Sequence, residues 1–279
     1  MAENKISACL VVYNEEEKIE DCLRSIRDYV DQIVLVHDGE CTDRTLEIAN
    51  KYGCEIYIEK YLGNAEPHRS FSFEKSRNDW ILLIDADERL SLGLAEELET
   101  LIQDMNVDAY TFDWVSEIGE KGQLFKKKQI LLRKNKMYFL GFPHIQVETR
   151  GVCKYLPFSL LHDTSEYRSG KKLLASYLRK NKKWGMVTAK MLRSPLEDLS
   201  VFNCIINDPN LKQIKKVKLI KNFPLVAIFV VPVYSFFYGM VFCKGFKKGF
   251  LGFVSCLHVP LHIFFTCYYL ILYKIKLLK

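Results

Sequence analysis

Asp85 and Asp87 stand one residue apart directly behind the apolar run Trp80–Ile84 (WILLI). Such a run reads as a strand buried on both faces, so the aspartates lie where that strand leaves the core. Carboxylates at such a place are costly unless a positive partner compensates them. A divalent cation held by Asp85 and Asp87 and shared with a diphosphate supplies that charge, because hard cations favour oxygen ligands. Alone, Asp-x-Asp is often a solvated loop; its place after a buried strand gives it weight. A second group, Val36–Asp43 (VHDGECTD), follows another apolar run. Asp38 before a glycine at a strand end suits hydrogen bonds from a base or ribose, while Asp43 suits a helix cap. The third group is Tyr13, Asn14, Glu15 and Glu16, behind Ile6–Tyr13. The glutamates there serve a ligand or merely complement a helix N-terminus.

The elements that position these groups alternate. Ile6–Tyr13, Gln32–His37, Glu55–Ile58 and Trp80–Ile84 read as strands. Glu15–Val30 carries Ile19, Cys22, Leu23, Ile26 and Val30 at helical spacing. Asp43 opens a second helix with Leu46, Ala49 and Tyr52 inward, and Ser91 caps a third with Leu94, Leu98, Leu101 and Ile102. This order predicts an α/β fold, a mainly parallel sheet with helices on both faces, whose ligands bind at the carboxyl ends of its strands. From Asp108 to Leu161 the pattern changes to strands and turns (DAYTFDW, a polar turn at Glu120–Gln123, QILLR, MYFLGF), and Glu166–Met191 is basic and helical.

Two apolar runs, Phe223–Cys243 and Phe250–Tyr273, hold no Asp, Glu, Lys or Arg and are each long enough for a bilayer core of about 30 Å. Lysines flank both and fill the link KGFKKG, which argues for a re-entrant or interfacial hairpin over a double span. Residues 209–279 carry eleven lysines and no acid, so the chain's net +6 leaves the first 208 residues at −5. An acidic body on a basic, apolar tail points to an anionic membrane as partner. It disfavours nucleic acid, since the basic residues are interleaved with apolar runs. Nine cysteines without Cys-x-x-Cys spacing read as free thiols, and the acidic start after one short apolar run does not read as a signal peptide. The expected division is 1–165 catalytic, 166–222 a basic helical linker and 223–279 the hydrophobic hairpin.

In this order, VVYNEEE (11–17), HDGECTDRTLEIA (37–49) and WILLIDADE (80–88) make the sequence resemble the family 2 glycosyltransferases of the A-type fold, closest to membrane-associated members that build lipopolysaccharide core or related surface glycans. The likeness covers the first 165 residues. Departures are His37 ahead of Asp38, an extra residue before Thr42, and no His-Glu pair, since His144 and Glu148 stand apart. The resemblance implies an inverting transfer from a nucleotide diphosphate sugar, a UDP-sugar foremost, with Mn²⁺ or Mg²⁺. The acceptor is then a lipid-linked glycan or lipopolysaccharide core at the cytoplasmic face of the inner (plasma) membrane. It places Tyr13, Asn14, Glu15, Asp38 and Asp85 at the donor, and Asp85, Asp87 and His162 at the metal. Arg69 is a candidate for phosphate, with a surface arginine as the alternative. Glu148 is the candidate base and Asp113 its runner-up. Two rival functions stay open: transfer to polyprenyl phosphate, and a catalytically silent nucleotide-sugar-binding membrane partner.

Overall fold

Ile6–Val12 (β1), Gln32–Asp38 (β2) and Trp80–Leu83 (β4) are buried at every position, as strands covered on both faces must be. The structure, a computed structural model, describes residues 4–116, 127–142, 146–163, 170–194, 202–203 and 212–278. The expected turn at Glu120–Gln123 and His144 lie outside these. With Glu55–Glu59 (β3), Glu88–Leu90 (β5), Ala109–Ser116 (β6), Lys127–Arg133 (β7) and Cys153–His162 (β10), the strands form one sheet in the order β3-β2-β1-β4-β7-β6-β10-β5. Strands β3, β2, β1 and β4 are parallel, as are β6 and β10; β7 and β5 run antiparallel to their neighbours. The expected mainly parallel sheet is present. A short ribbon pairs Met137–Tyr138 (β8) with Glu148–Thr149 (β9).

Helix α1 (Ile19–Ile26) buries Ile19, Cys22, Leu23 and Ile26, the expected stripe. It starts later than the apolar period suggests, because Asn14 takes a left-handed backbone (φ 50) and the chain turns before the helix begins. Helix α2 (Thr45–Lys51) buries Thr45, Ile48 and Ala49, with Leu46 and Tyr52 only partly covered. Asp43 does serve its start, accepting from the Thr45 N–H (2.9 Å). Helix α4 (Leu92–Ile102) begins at Ser91, whose side chain accepts from the Leu94 N–H. These three helices share one core with one face of the sheet. The other face is covered by α3 (Glu66–Lys75), through Phe73, and by Phe139 and Phe202. The sequence reading has no α3, because EPHRSFSFEK buries His68, Ser70 and Ser72 where an apolar stripe would stand. It has no β10 either, a strand exposed or half-exposed at most positions and interrupted by Pro157.

Helices α5 (Gly170–Met191), α6 (Lys212–Asn222), α7 (Pro224–Val241), α8 (Gly249–Cys256) and α9 (His258–Lys274) complete the chain. The segments Pro224–Val241 and Gly245–Lys274 are long and apolar enough to cross a membrane. The second is broken at Leu257, and Pro260 stands in the first turn of α9, where its missing N–H costs nothing. Helix α9 lies between α5 and α7. Its contact with α5 is close at Gly185: a Cβ there would stand 2.6 Å from the Phe265 Cβ and 2.9 Å from the Thr266 N. Gly185→Val therefore has to push the helices apart, and an overpacked site of this kind costs about 1–3 kcal/mol. Chemical denaturation should show that loss, and an unchanged midpoint would place the α5–α9 contact elsewhere.

Candidate active site

Strand β4 ends at Leu83, Ile84 and Asp85 follow it, and the chain turns into β5 at Glu88. Asp85 and Glu88 bond reciprocally: the Asp85 N–H donates to Glu88 Oε2 (3.0 Å) and the Glu88 N–H to the Asp85 carbonyl (2.9 Å). Glu88 is fully buried. Lys128 answers both acids, its Nζ donating to Asp85 Oδ2 (2.8 Å) and to Glu88 Oε1 and Oε2 (2.6 and 2.8 Å). Arg69 Nη2 donates to the other Asp85 oxygen (2.6 Å). Two acids and two bases thus balance at the strand end. Burial by itself would raise the Asp85 carboxyl, but Arg69 and Lys128 outweigh it and hold it well below the usual carboxylate range. For Glu88 burial prevails over Lys128, and its carboxyl is raised. Burial would lower Lys128, yet Asp85 and Glu88 together raise it.

The compensating charge expected from a cation on Asp85 therefore comes from side chains, and both Asp85 oxygens are taken. Asp87 is placed differently. Its Oδ2 stands 3.3 Å from His162 Nε2, at the end of β10, where the Asp163 N–H donates to the Asp87 carbonyl (2.8 Å). Two donors so spaced suit one divalent ion with bonds of roughly 2.0–2.2 Å to each. His162 Nδ1 is buried without a partner, and the ring is stacked on Trp114 (4.5 Å between centroids), which fixes its direction. Among the described residues no third His, Cys, Asp or Glu completes a set, so a metal here would draw its other ligands from phosphate oxygens and water. A cleft of about 220 Å³ opens beside Asp87, lined also by Lys18, Asp21, Arg89 and Asp163. Arg69 is no surface arginine: its Nη1 is buried and has no acceptor.

On the neighbouring strand ends, Asn14 and Thr42 exchange two hydrogen bonds (2.8 and 3.0 Å), and the Glu15 N–H donates to Thr45 Oγ1 (2.7 Å). His37 joins β1 to β2, with Nδ1 bonded to the Gly39 carbonyl (2.8 Å) and Nε2 accepting from the Asn14 N–H (3.3 Å). Asp38 is buried, and its carboxylate faces the loop after β3. It accepts from the N–H groups of Leu62 (2.6 Å) and Asn64 (3.2 Å) and bonds His68 Nε2 (2.9 Å). Tyr61 of that loop and Tyr13 are exposed with ring centroids 5.0 Å apart. Lys183 of α5 donates to the Tyr61 hydroxyl (3.0 Å). The structure thus brings Arg69, Asp85, Asp87 and His162 to one cluster, with Tyr13, Asn14, Glu15 and Asp38 on the adjoining strand ends.

The candidate bases are held by other elements. Glu148, on the β8–β9 ribbon, accepts from the Tyr138 hydroxyl. Asp113, on β6, accepts from the Tyr155 hydroxyl with both oxygens (3.0 and 3.1 Å).

Lys128, Tyr61, His68 and Lys183 escape the sequence reading. Lys128 had one signal: β7 alternates, so Lys127 lies over the Tyr155 ring while Lys128 points to the acids. Lys128→Met should leave Glu88 buried without its cation, a loss of about 3–5 kcal/mol. Lys128→Arg should recover part of it in the same denaturation series, and equal stability of Lys128→Met and wild type would remove the quartet's structural role.

The glycosyl transferase family 2 model matches residues 7–162, more than half of the chain. An uncharacterized glycosyltransferase of Rickettsia bellii is 39% identical over 106 residues, 38% of this chain and 35% of that protein. The glycosyltransferase SunS of Bacillus subtilis, prophage-derived, is 27% identical over 171 residues, 59% of this chain and 39% of that one. The chain therefore spans little more than a third of the length of these curated relatives. The crystal structure of S. aureus TarS aligns over 91% of this chain and 55% of its own at 14% identity, with a TM-score of 0.47. With the sheet, the strand-end carboxylates and the matched span together, the chain belongs to glycosyl transferase family 2.

Proposed function

We propose that this chain transfers a sugar, with inversion, from a UDP-sugar to a hydroxyl of a lipid-linked glycan or lipopolysaccharide core at the cytoplasmic face of the inner membrane. The observation that carries the reading is the pairing of Asp87 with His162 beside Arg69, whose Nη1 is buried without an acceptor. A diphosphate brings the oxygens that such an N–H lacks, and an arginine–phosphate bond is among the stronger charge-assisted ones. Mn²⁺ or Mg²⁺ held by Asp87 and His162 would neutralise charge on the leaving diphosphate. Asp85 keeps Arg69 directed at the same place. Tyr13 and Tyr61 offer aromatic faces to a base, and Asp38 holds the loop that carries Tyr61. On the acceptor side a carboxylate takes the hydroxyl proton. Glu148, oriented by Tyr138, is the first candidate and Asp113 the second. The acidless, lysine-rich C-terminal segment with its two membrane-length apolar stretches supports the membrane acceptor.

Screening UDP-, GDP- and CMP-sugars with Mn²⁺ by thermal shift tests the donor, since a ligand at 100 times its Kd adds about 2.7 kcal/mol. A metal-dependent shift with UDP-sugars is the expected result; stabilisation by none of the donors would sink the reading. Asp87→Asn should fold normally and lose both the metal-dependent shift and most turnover. Wild-type transfer by that variant in saturating Mn²⁺ would remove Asp87 from the metal site. Glu148→Gln should keep donor binding and slow transfer about 10²-fold or more. Normal transfer by Glu148→Gln with a slow Asp113→Asn would move the base to Asp113.

A further inference from the structure

Helix α7 is apolar on both sides. Pro224, Ala227, Val231 and Gly239 face the other helices, and the opposite side exposes Leu225, Phe229 (73%), Val233, Tyr234, Phe237 and Val241. The same exposed surface continues over Phe246, Phe250 and Phe253. Water is a poor partner for so large an apolar face. Lysines stand at both ends of it: Lys218 and Lys221 in α6 before α7, and Lys244, Lys247 and Lys248 at the corner after it. At 1.5 Å per residue α7 is roughly 27 Å long, so an apolar strip of that length separates two basic ends.

Helix α9 has a different neighbourhood. One side of it is lined from end to end by α5 and the turn after it, from Asn181 and Tyr177 at His258 (3.1 Å, and 4.2 Å between rings), through Thr188 at His262 (3.4 Å) and Gly185 at Phe265, to Arg193 over the Tyr273 ring (4.7 Å), while Phe264 and Tyr268 stay exposed. The outer side of α5 and the turn after it expose Arg179, Lys182, Lys183, Lys190 and Arg193. Were α9 to cross a bilayer, these charges would enter the hydrocarbon with it, where they are strongly disfavoured. Breaking α5 away would strand the buried polar groups of Asn181, Thr188 and His262 instead.

We infer that the C-terminal helices do not cross the bilayer: the chain rests on one leaflet, with the outer face of α7 and Phe246, Phe250 and Phe253 dipping into lipid and both lysine ends meeting anionic headgroups. This rests on the membrane reading above and adds its topology. Anionic lipid suits this face better than a second copy of the chain does, because residues 209–279 hold eleven lysines and no acid, so two such faces would repel.

The experiment uses the full chain in sealed inverted and right-side-out bacterial membrane vesicles with an impermeant maleimide. Cys153, exposed on β10, marks the side of the catalytic body once Cys41, Cys54, Cys204 and Cys243 are replaced by serine in every variant used. Lys247→Cys, made with Cys153→Ser, marks the corner between α7 and α8. The expected result is that both positions label in the same vesicle orientation. Labelling of position 247 only where Cys153 is protected would overturn the topology and leave membrane attachment standing. Retention is read separately. Wild type should stay with vesicles in high salt, and Phe229→Asp with Phe237→Asp should release it at an unchanged melting temperature. Release of wild type by salt, or a salt-washed dimer that ignores anionic vesicles, would overturn the lipid contact itself.

Discussion

Acidic side chains that leave the core of a parallel sheet must meet positive charge before they meet solvent, and two of them stand between the end of β4 and the start of β5. Asp85 and the fully buried Glu88 satisfy this through Lys128 and Arg69. Much of the topology follows from that requirement. Strand β7 has to run antiparallel to β4, since only then does its first turn of chain, with Lys128, arrive where β4 ends. Helix α3 covers the opposite face of the sheet and from there delivers Arg69 to the other Asp85 oxygen. A buried ion pair of this sort is no great source of stability by itself. Its effect is to fix the direction of Asp85 and Arg69, which leaves the buried Arg69 Nη1 without an acceptor.

A second constraint operates at the end of β2. Asp38 gathers Leu62, Asn64 and His68, so the loop after β3 is drawn back over the strand ends. Gly39 makes room for it: its backbone lies at φ +96, and a Cβ there would stand 2.7 Å from the Tyr61 Cβ. Gly63 makes room for Lys183 in the same way, with a Cβ position 2.5 Å from Nζ. The loop with Tyr61 is thus held from below by β2 and from the side by α5. One helix, α5, therefore touches both the loop with Tyr61 and α9.

Much of the sheet was legible in the sequence, because strands buried on both faces are written as uninterrupted apolar runs, and WILLI or QIVLVH has no other good reading. The helices α1, α2 and α4 were legible for the same reason at a different period. His162 is named through the resemblance and Arg69 as a candidate for phosphate, whereas the side chains that hold them are not legible. Helix α3 buries polar side chains that bond locally, so it has no apolar signature. Lys128 looks like one lysine in a run of three until β7 is given its direction. Asp38 looked like a group offered to a ligand; it is occupied by backbone N–H groups from residues some two dozen positions on, a partner that no local pattern reveals.

The two C-terminal apolar runs show the same limit from the other side. By composition Phe223–Cys243 and Phe250–Tyr273 are alike, yet their surroundings make them different objects. Helix α7 keeps a long apolar surface outward, whereas α9 packs between α7 and the basic α5 and exposes, of its large apolar side chains, Phe264 and Tyr268. Hydropathy records only that a segment avoids water; it does not say whether lipid or protein takes water's place. In α9 the small, hydrogen-bonding residues answer that question. His262 meets Thr188 of α5, Thr266 is buried with its hydroxyl turned back on its own helix to the His262 carbonyl, and Gly185 of α5 lets the two backbones close. Such residues are spent on a protein neighbour, while the phenylalanines of α7 and the corner after it, which bond to nothing polar, are spent on a solvent.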